Sequence, residues 1–227
     1  MAGINVLIAV PAYRGTIAAE TATCLVQLSV ALLKENSTAF SLLIAEMGDI
    51  EQARNRFASI ALNKGFSHVL FIDNDMIFKP GVILKLLRAN RDVIGCACPI
   101  RGQAGELLYA ITQFGNGTPE PDGTLRVSYI GTAILLVSAT SLTKLVRTEK
   151  LRTLNKGTDG GPEYGFFDRI ARDDGARESE DYAFCDRWLK LCGGEVYAVI
   201  DEEIGHIGKM IHRGRWIDDY ERSNPRE

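Results

Sequence analysis

Short apolar runs alternate with helix-period patterns through the first hundred residues. Asn5 to Val10 reads as a buried strand, stopped by Pro11, and Thr16 to Leu33 then places Ala18, Ala22, Leu25, Leu28 and Leu32 at three- and four-residue spacing, the mark of a helix. The alternation repeats: Phe40 to Ala45 predicts a strand, Ile50 to Leu62 a helix, and His68 to Ile72 a continuously apolar strand of the kind found inside parallel sheets. Lys79-Pro80-Gly81 opens a further helix over Val82 to Leu87, with proline in its first turn, and Asp92 to Cys98 is a fourth strand. Strand and helix alternating at this spacing predict βαβ units with right-handed crossovers.

The second half changes character. Leu107 to Phe114 and Leu125 to Ile130 read as strands joined by a Gly-, Pro- and Asn-rich turn, so a hairpin or β-flap is expected there instead of another crossover. Gly131 to Val137 predicts a strand and Ser138 to Val146 a helix, while the polar, glycine-rich Thr153 to Gly161 predicts a loop. Ser179 to Leu191 is the clearest late helix, with Ser179 as its N-cap, and Glu195 to Ile200 is the last strand. The expected fold class is therefore α/β: one domain over 1–227, a mostly parallel central sheet flanked by helices, and a smaller mixed or antiparallel sheet. No repeat or long linker divides the chain.

Composition narrows the function classes. With 46% apolar and 24% charged residues the chain can fill a core, and its net charge of −3 argues against a nucleic-acid binder or a polybasic membrane-surface protein. The N-terminus has no basic region, and its apolar stretch ends after Val10, too short for a signal-peptide core or a membrane span, so a soluble, cytoplasmic protein is expected. Cys24, Cys96, Cys98, Cys185 and Cys192 are odd in number and lie mostly in apolar stretches, which predicts reduced, buried thiols and not a zinc site or a disulfide framework.

The sharpest chemical feature is Phe71-Ile72-Asp73-Asn74-Asp75-Met76, two carboxylates where a buried strand runs out. Ligands of open α/β sheets sit beyond the carboxyl ends of the strands, and an Asp-x-Asp there suits a hard divalent cation, although Asp and Asn also simply end strands. Pro11-Ala12-Tyr13-Arg14 follows the first strand to the same edge, where Tyr13 could stack on a base and Arg14 meet phosphate. Glu46 follows the second strand, and Arg54 and Asn55 lie early on the next helix. Glu180 and Asp181 open the late helix, and two readings stand for them: carboxylates stabilised by the helix dipole, or a general base aimed into a cleft. Finally Gly205-His206-Ile207-Gly208-Lys209 puts a histidine between glycines in a loop, a good setting for a metal ligand, followed by local positive charge.

Taken in this order, VPAY at 10–13, ARN at 53–55, FIDND at 71–75, GTA at 131–133, SEDYAFCDRW at 179–188 and GHIGK at 205–209 resemble the metal-dependent glycosyltransferases of the GT-A fold, in their small single-domain, family 2-like form. The resemblance implies a nucleotide-sugar-binding half over 1–100 and an acceptor-side, catalytic half over 101–227. It implies that Asp75 and His206 bind Mn²⁺ or Mg²⁺, with Asp73 on the ribose, the donor sugar or the metal. It implies a donor pocket of Pro11, Ala12, Tyr13, Arg14, Glu46, Arg54, Asn55, Asp73, Asn74 and Lys209, with Gly131 and Thr132 near the sugar and acceptor. Asp181, with Glu180 as the neighbouring alternative, falls where inverting members carry their catalytic base. The partners so implied are a nucleotide-sugar donor, UDP by default, and a glycan or other hydroxyl acceptor. A nucleotidyltransferase would need a glycine-rich, basic loop after the first strand, where Pro11 to Gly15 has one glycine. A non-catalytic sugar-nucleotide-binding or scaffold module would be expected to have lost some of these polar positions, and all are filled.

Overall fold

The computed structural model describes residues 3–35, 38–46, 48–100, 108–115, 117–154, 161–172, 175–208 and 211–223. The first strand, β1 (Ile4–Pro11), leads through a single 3-10 turn at Tyr13–Gly15 into α1 (Ala19–Leu33). Next come β2 (Thr38–Ala45), α2 (Ile50–Asn63) and β3 (His68–Ile72). Asp49 caps α2 by accepting the Glu51 amide at 3.1 Å. After β3 the chain makes the short strand β4 (Met76–Ile77), then α3 (Pro80–Arg88) and β5 (Val93–Cys96). The second half adds β6 (Ile111–Gln113), β7 (Thr124–Ile130), β8 (Ile134–Ser138) and α4 (Ala139–Arg147), with Ser138 as the α4 N-cap. It closes with β9 (Thr153–Leu154), β10 (Glu163–Tyr164), α5 (Glu180–Cys192), β11 (Val196–Val199), β12 (Ile204–Ile207), β13 (Ile211–Gly214) and α6 (Trp216–Ser223).

Eight strands form the main sheet in the order β2-β1-β3-β8-β5-β11-β7-β6. β2, β1 and β3 are parallel, as are β5 and β11, while β8 runs antiparallel between β3 and β5 and β7 antiparallel beside β11. Most strands thus point one way, and the α/β class and mostly parallel sheet expected from the pattern are what forms. The hairpin expected over 107–130 forms as β6 and β7, but it extends the main sheet. The smaller antiparallel sheet is built elsewhere, from β4, β12 and β13.

Period-two alternation divides the core between the two faces of the sheet. Leu7 and Ala9 of β1 face Phe57 of α2, Leu142 and Leu145 of α4, and Phe184 and Trp188 of α5. Val6, Ile8 and Val10 face Cys24, Leu25, Leu28 and Leu32 of α1 and Val82, Ile83 and Leu86 of α3. The wedge of β8 between β3 and β5 requires Gly95, because a Cβ there would lie 2.7 Å from the Ile134 carbonyl oxygen and 2.9 Å from Ile130 Cδ1. All five cysteines are free, four of them buried, and burial pushes the Cys185 thiol up to about 12. Among the described residues no helix is long and apolar enough to cross a membrane.

Candidate active site

Parallel strands end at one edge of the sheet, so β1, β2 and β3 deliver Pro11, Glu46 and Asp73 to the same side. β3 stops at Ile72, the Asp73 amide donates to the Ala133 carbonyl just before β8 (2.9 Å), and the chain turns through Asn74 and Asp75 into β4. Asn74 holds the turn to the loop after β1: its Nδ2 donates to Thr16 O at 2.7 Å and its carbonyl accepts the Ala18 amide at 2.9 Å. A cleft of about 430 Å³ opens here, lined by Pro11, Tyr13, Gly48, Ile50, Asp73, Asn74, Asp75, Ile100 and His206.

His206 arrives from the far end of the chain because β12 pairs antiparallel with β4, setting His206 opposite Met76. The Ile207 amide donates to the Asp75 carbonyl (2.9 Å), and His206 Nε2 stands 3.6 Å from Asp75 Oδ1. The other ring nitrogen, Nδ1, lies 2.7 Å from the Pro99 carbonyl oxygen. A carbonyl only accepts, so Nδ1 carries the hydrogen, and in the neutral ring Nε2 turns its lone pair toward the carboxylate. A backbone carbonyl on the remote nitrogen is the usual way of fixing a ligating histidine. One carboxylate oxygen and one imidazole nitrogen at this separation fit a divalent cation of the Mn²⁺ or Mg²⁺ kind. Among the described residues no group of three or more His, Cys, Asp or Glu is placed to hold a metal, so the pair would leave most of the coordination shell to a ligand's oxygens.

Asp73 is engaged differently. Arg54 Nη2 donates to Asp73 Oδ1 at 3.1 Å, while Arg54 Nη1 donates to Glu180 Oε1 at the start of α5. Arg54 is 4% exposed, and Arg169 Nη2 stands 3.5 Å from the second Glu180 oxygen. Arg54 therefore bridges the carboxylate motif and α5 instead of reaching into the cleft, and Glu180 is committed to two guanidinium groups. Asn55 is fully buried, its Nδ2 donating to Asp168 (2.7 Å) and its Oδ1 accepting the Phe167 amide (2.6 Å), so it fixes the 165–168 loop and stands away from the cleft lining.

Asp181 is half-buried, the next residue on α5. Its Oδ1 accepts from the Ser179 hydroxyl and from the Tyr182 amide (2.9 Å), and its Oδ2 lies 3.6 Å from where a Cβ on Gly131 would sit. Ser179 thus occupies the cap position while its hydroxyl turns to Asp181. Thr132, 1% exposed beside Gly131, has a buried Oγ1 without a hydrogen-bond partner among the described residues.

The remaining expected residues are at or near this edge. Ala12 is buried, its amide bonded to Ala45 O (2.9 Å). Arg14, in the left-handed region at φ 56°, lies over the exposed Tyr13 ring at 5.1 Å. Glu46 abuts the same loop, since a Cβ on Gly15 would be 3.1 Å from its Oε2. Lys209 lies outside the described residues. Gly48, Ile50, Ile100, the Pro99 carbonyl and Arg169 were not anticipated; Gly48, Pro99 and Ile100 could have been found by following each parallel strand past its carboxyl end.

The fold resembles that of A197 from STIV. The two chains align with a TM-score of 0.51 over 90% of this chain and 86% of that one, at 13% identity, which is a likeness of fold. Weaker likenesses include a mutant Drosophila β-1,4-galactosyltransferase 7 in complex with manganese, UDP-Gal and xylobiose (TM-score 0.33, 14% identity, 63% of this chain and 52% of that one). Another is mannose-1-phosphate geranyltransferase from Thermus thermophilus (0.37, 11%, 65% and 60%). No family model matches the sequence, and no curated protein does.

Proposed function

We propose that the chain is a divalent-metal-dependent glycosyltransferase of the GT-A kind, moving a sugar from a nucleotide diphosphate donor, UDP-linked by preference, to an acceptor hydroxyl with inversion. The observation that carries the reading is the Asp75–His206 pair, with Nε2 turned to the carboxylate by the Pro99 carbonyl, at the carboxyl edge of the sheet. Residues 1–100 supply the nucleotide-sugar side. Residues 101–227 supply the acceptor side, the proposed base and the histidine.

Within that reading the nucleoside lies along Pro11 and Tyr13, whose exposed ring offers a stacking face. Asp75 and His206 hold a Mn²⁺ or Mg²⁺ ion, which when bound offsets the negative charge that gathers on the departing diphosphate. Arg54 fixes Asp73 at the cleft wall and, through Glu180, fixes the first turn of α5, so that Asp181 is presented from a held backbone. Asp181 takes the proton of the acceptor hydroxyl, whose oxygen forms the new bond to the anomeric carbon as the bond to the diphosphate breaks from the opposite face. Gly131 packs its backbone against Ala110, where a Cβ would come within 2.7 Å of the Ala110 side chain, and so sets the backbone beside Asp181.

The test is a hydrolysis and transfer assay over UDP- and GDP-sugars with Mn²⁺, following nucleotide release. Release from one donor class that vanishes on chelation and in Asp75→Ala is expected. A folded protein that cleaves none of these donors overturns the proposal.

A further inference from the structure

α1 carries an apolar stripe on its outer side in addition to its buried face. Its fifteen residues carry one charged side chain, Glu20, and its inner face buries Cys24, Leu25, Leu28 and Leu32. On the outer face Val26, Val30 and Leu33, four and then three residues apart, are 65%, 51% and 74% exposed. Thr23 and Gln27, also exposed, border this stripe, which is the apolar part of the outer side. Beside it β2 is the end strand of the eight-stranded sheet. Its sequence, TAFSLLIA, contains no charge and no proline, the usual devices that keep a sheet edge from pairing. Phe40 packs into the core cluster that holds α1, so period two sets Leu42 and Ile44, both more than two-fifths exposed, on that same side.

We propose that this surface docks a second copy of the chain, β2 pairing antiparallel with the β2 of that copy across a twofold axis and the two α1 stripes meeting over the joined sheets. The occupant must supply backbone donors and acceptors as well as apolar cover, which a strand does and lipid does not. A twofold contact sets a surface against itself, and an uncharged strand meets no like-charge repulsion there. The charges flanking the α1 stripe complement one another under the same symmetry. Glu20 lies at its N-terminal end and Lys34 at its C-terminal end, both exposed, so antiparallel helices bring each Glu20 toward the other copy's Lys34. The helix dipoles also oppose favourably in that arrangement.

Sedimentation velocity with light scattering on the full chain tests this. The expected species has twice the 24.9 kDa chain mass. Leu42→Lys on the strand and Val30→Glu on the helix, both at exposed positions, should each weaken the dimer about tenfold or more while leaving the circular dichroism spectrum of the folded chain unchanged. A monomer at about 100 μM, or a dimer indifferent to both substitutions, overturns the proposal. So does a monomer that instead binds phosphatidylcholine–phosphatidylglycerol vesicles.

Discussion

At His206 one hydrogen bond decides what the other nitrogen can do, and the residue-scale predictions start there. Asp75→Ala and His206→Ala should each abolish metal-dependent nucleotide binding and leave the melting profile close to wild type, since both side chains stand at the cleft wall and not in the core. Asp181→Asn should keep donor binding and lower transfer by roughly 10²–10⁴-fold; undiminished transfer would remove the base assignment. Arg54→Ala should cost about 1–3 kcal/mol in denaturant unfolding, because Asp73, partly exposed, loses its guanidinium partner and Glu180 keeps only Arg169 among the described residues. Arg54→Lys should recover only part of this, as an ammonium cannot fork between two carboxylates. That Asp73, Asp75 and His206 reach one sheet edge could be read from the strands that precede them, although His206, expected in a loop, lies within the strand β12. The commitment of Arg54, Asn55 and Glu180 to one another's neighbourhoods was not, because those partners lie more than a hundred residues apart in the chain.

Among the elements, β3, the 166–167 turn and α5 are joined beneath the cleft by a stack of rings. Phe71 meets Phe167 edge-on at 5.3 Å, and Phe167 stacks on Phe184 at 4.6 Å. Phe167→Ala should therefore lose about 3–5 kcal/mol, and Gly95→Ala about 1–3 kcal/mol through overpacking at the β8 wedge; chemical denaturation measures both. Long periodic elements were read well: the strand expected over His68 to Ile72 is β3 itself, and α2 extends the expected helix by one residue. The helix expected from Thr16 begins instead at Ala19, because Thr16 and Ala18 are held extended by Asn74 from across the sheet edge. β4 and β12 were missed, being two and four residues long and paired with each other from distant parts of the chain; β13, paired with its neighbour β12, and the two-residue β9 and β10 were missed as too short to show a period, and α6 was missed where polar residues dominate its eight positions.

For the whole molecule, the sheet order says that neither half stands alone: β8 from the second half is inserted between β3 and β5 from the first. Urea unfolding followed by fluorescence and by circular dichroism should then give one coincident transition, and two separated ones would contradict this interdependence. The α/β class and the parallel edge could be read from alternation alone; the antiparallel wedge could not, since a short apolar strand carries no mark of its direction. The same interleaving builds the cleft from residues as distant as Pro11 and His206. The most direct measurement is calorimetric titration of UDP and of GDP into the protein, with and without Mn²⁺. Binding of one nucleotide, UDP by preference, that requires Mn²⁺ and is absent in Asp75→Ala is the predicted result. A folded protein that binds neither nucleotide, or binds equally well without the metal, would contradict the account.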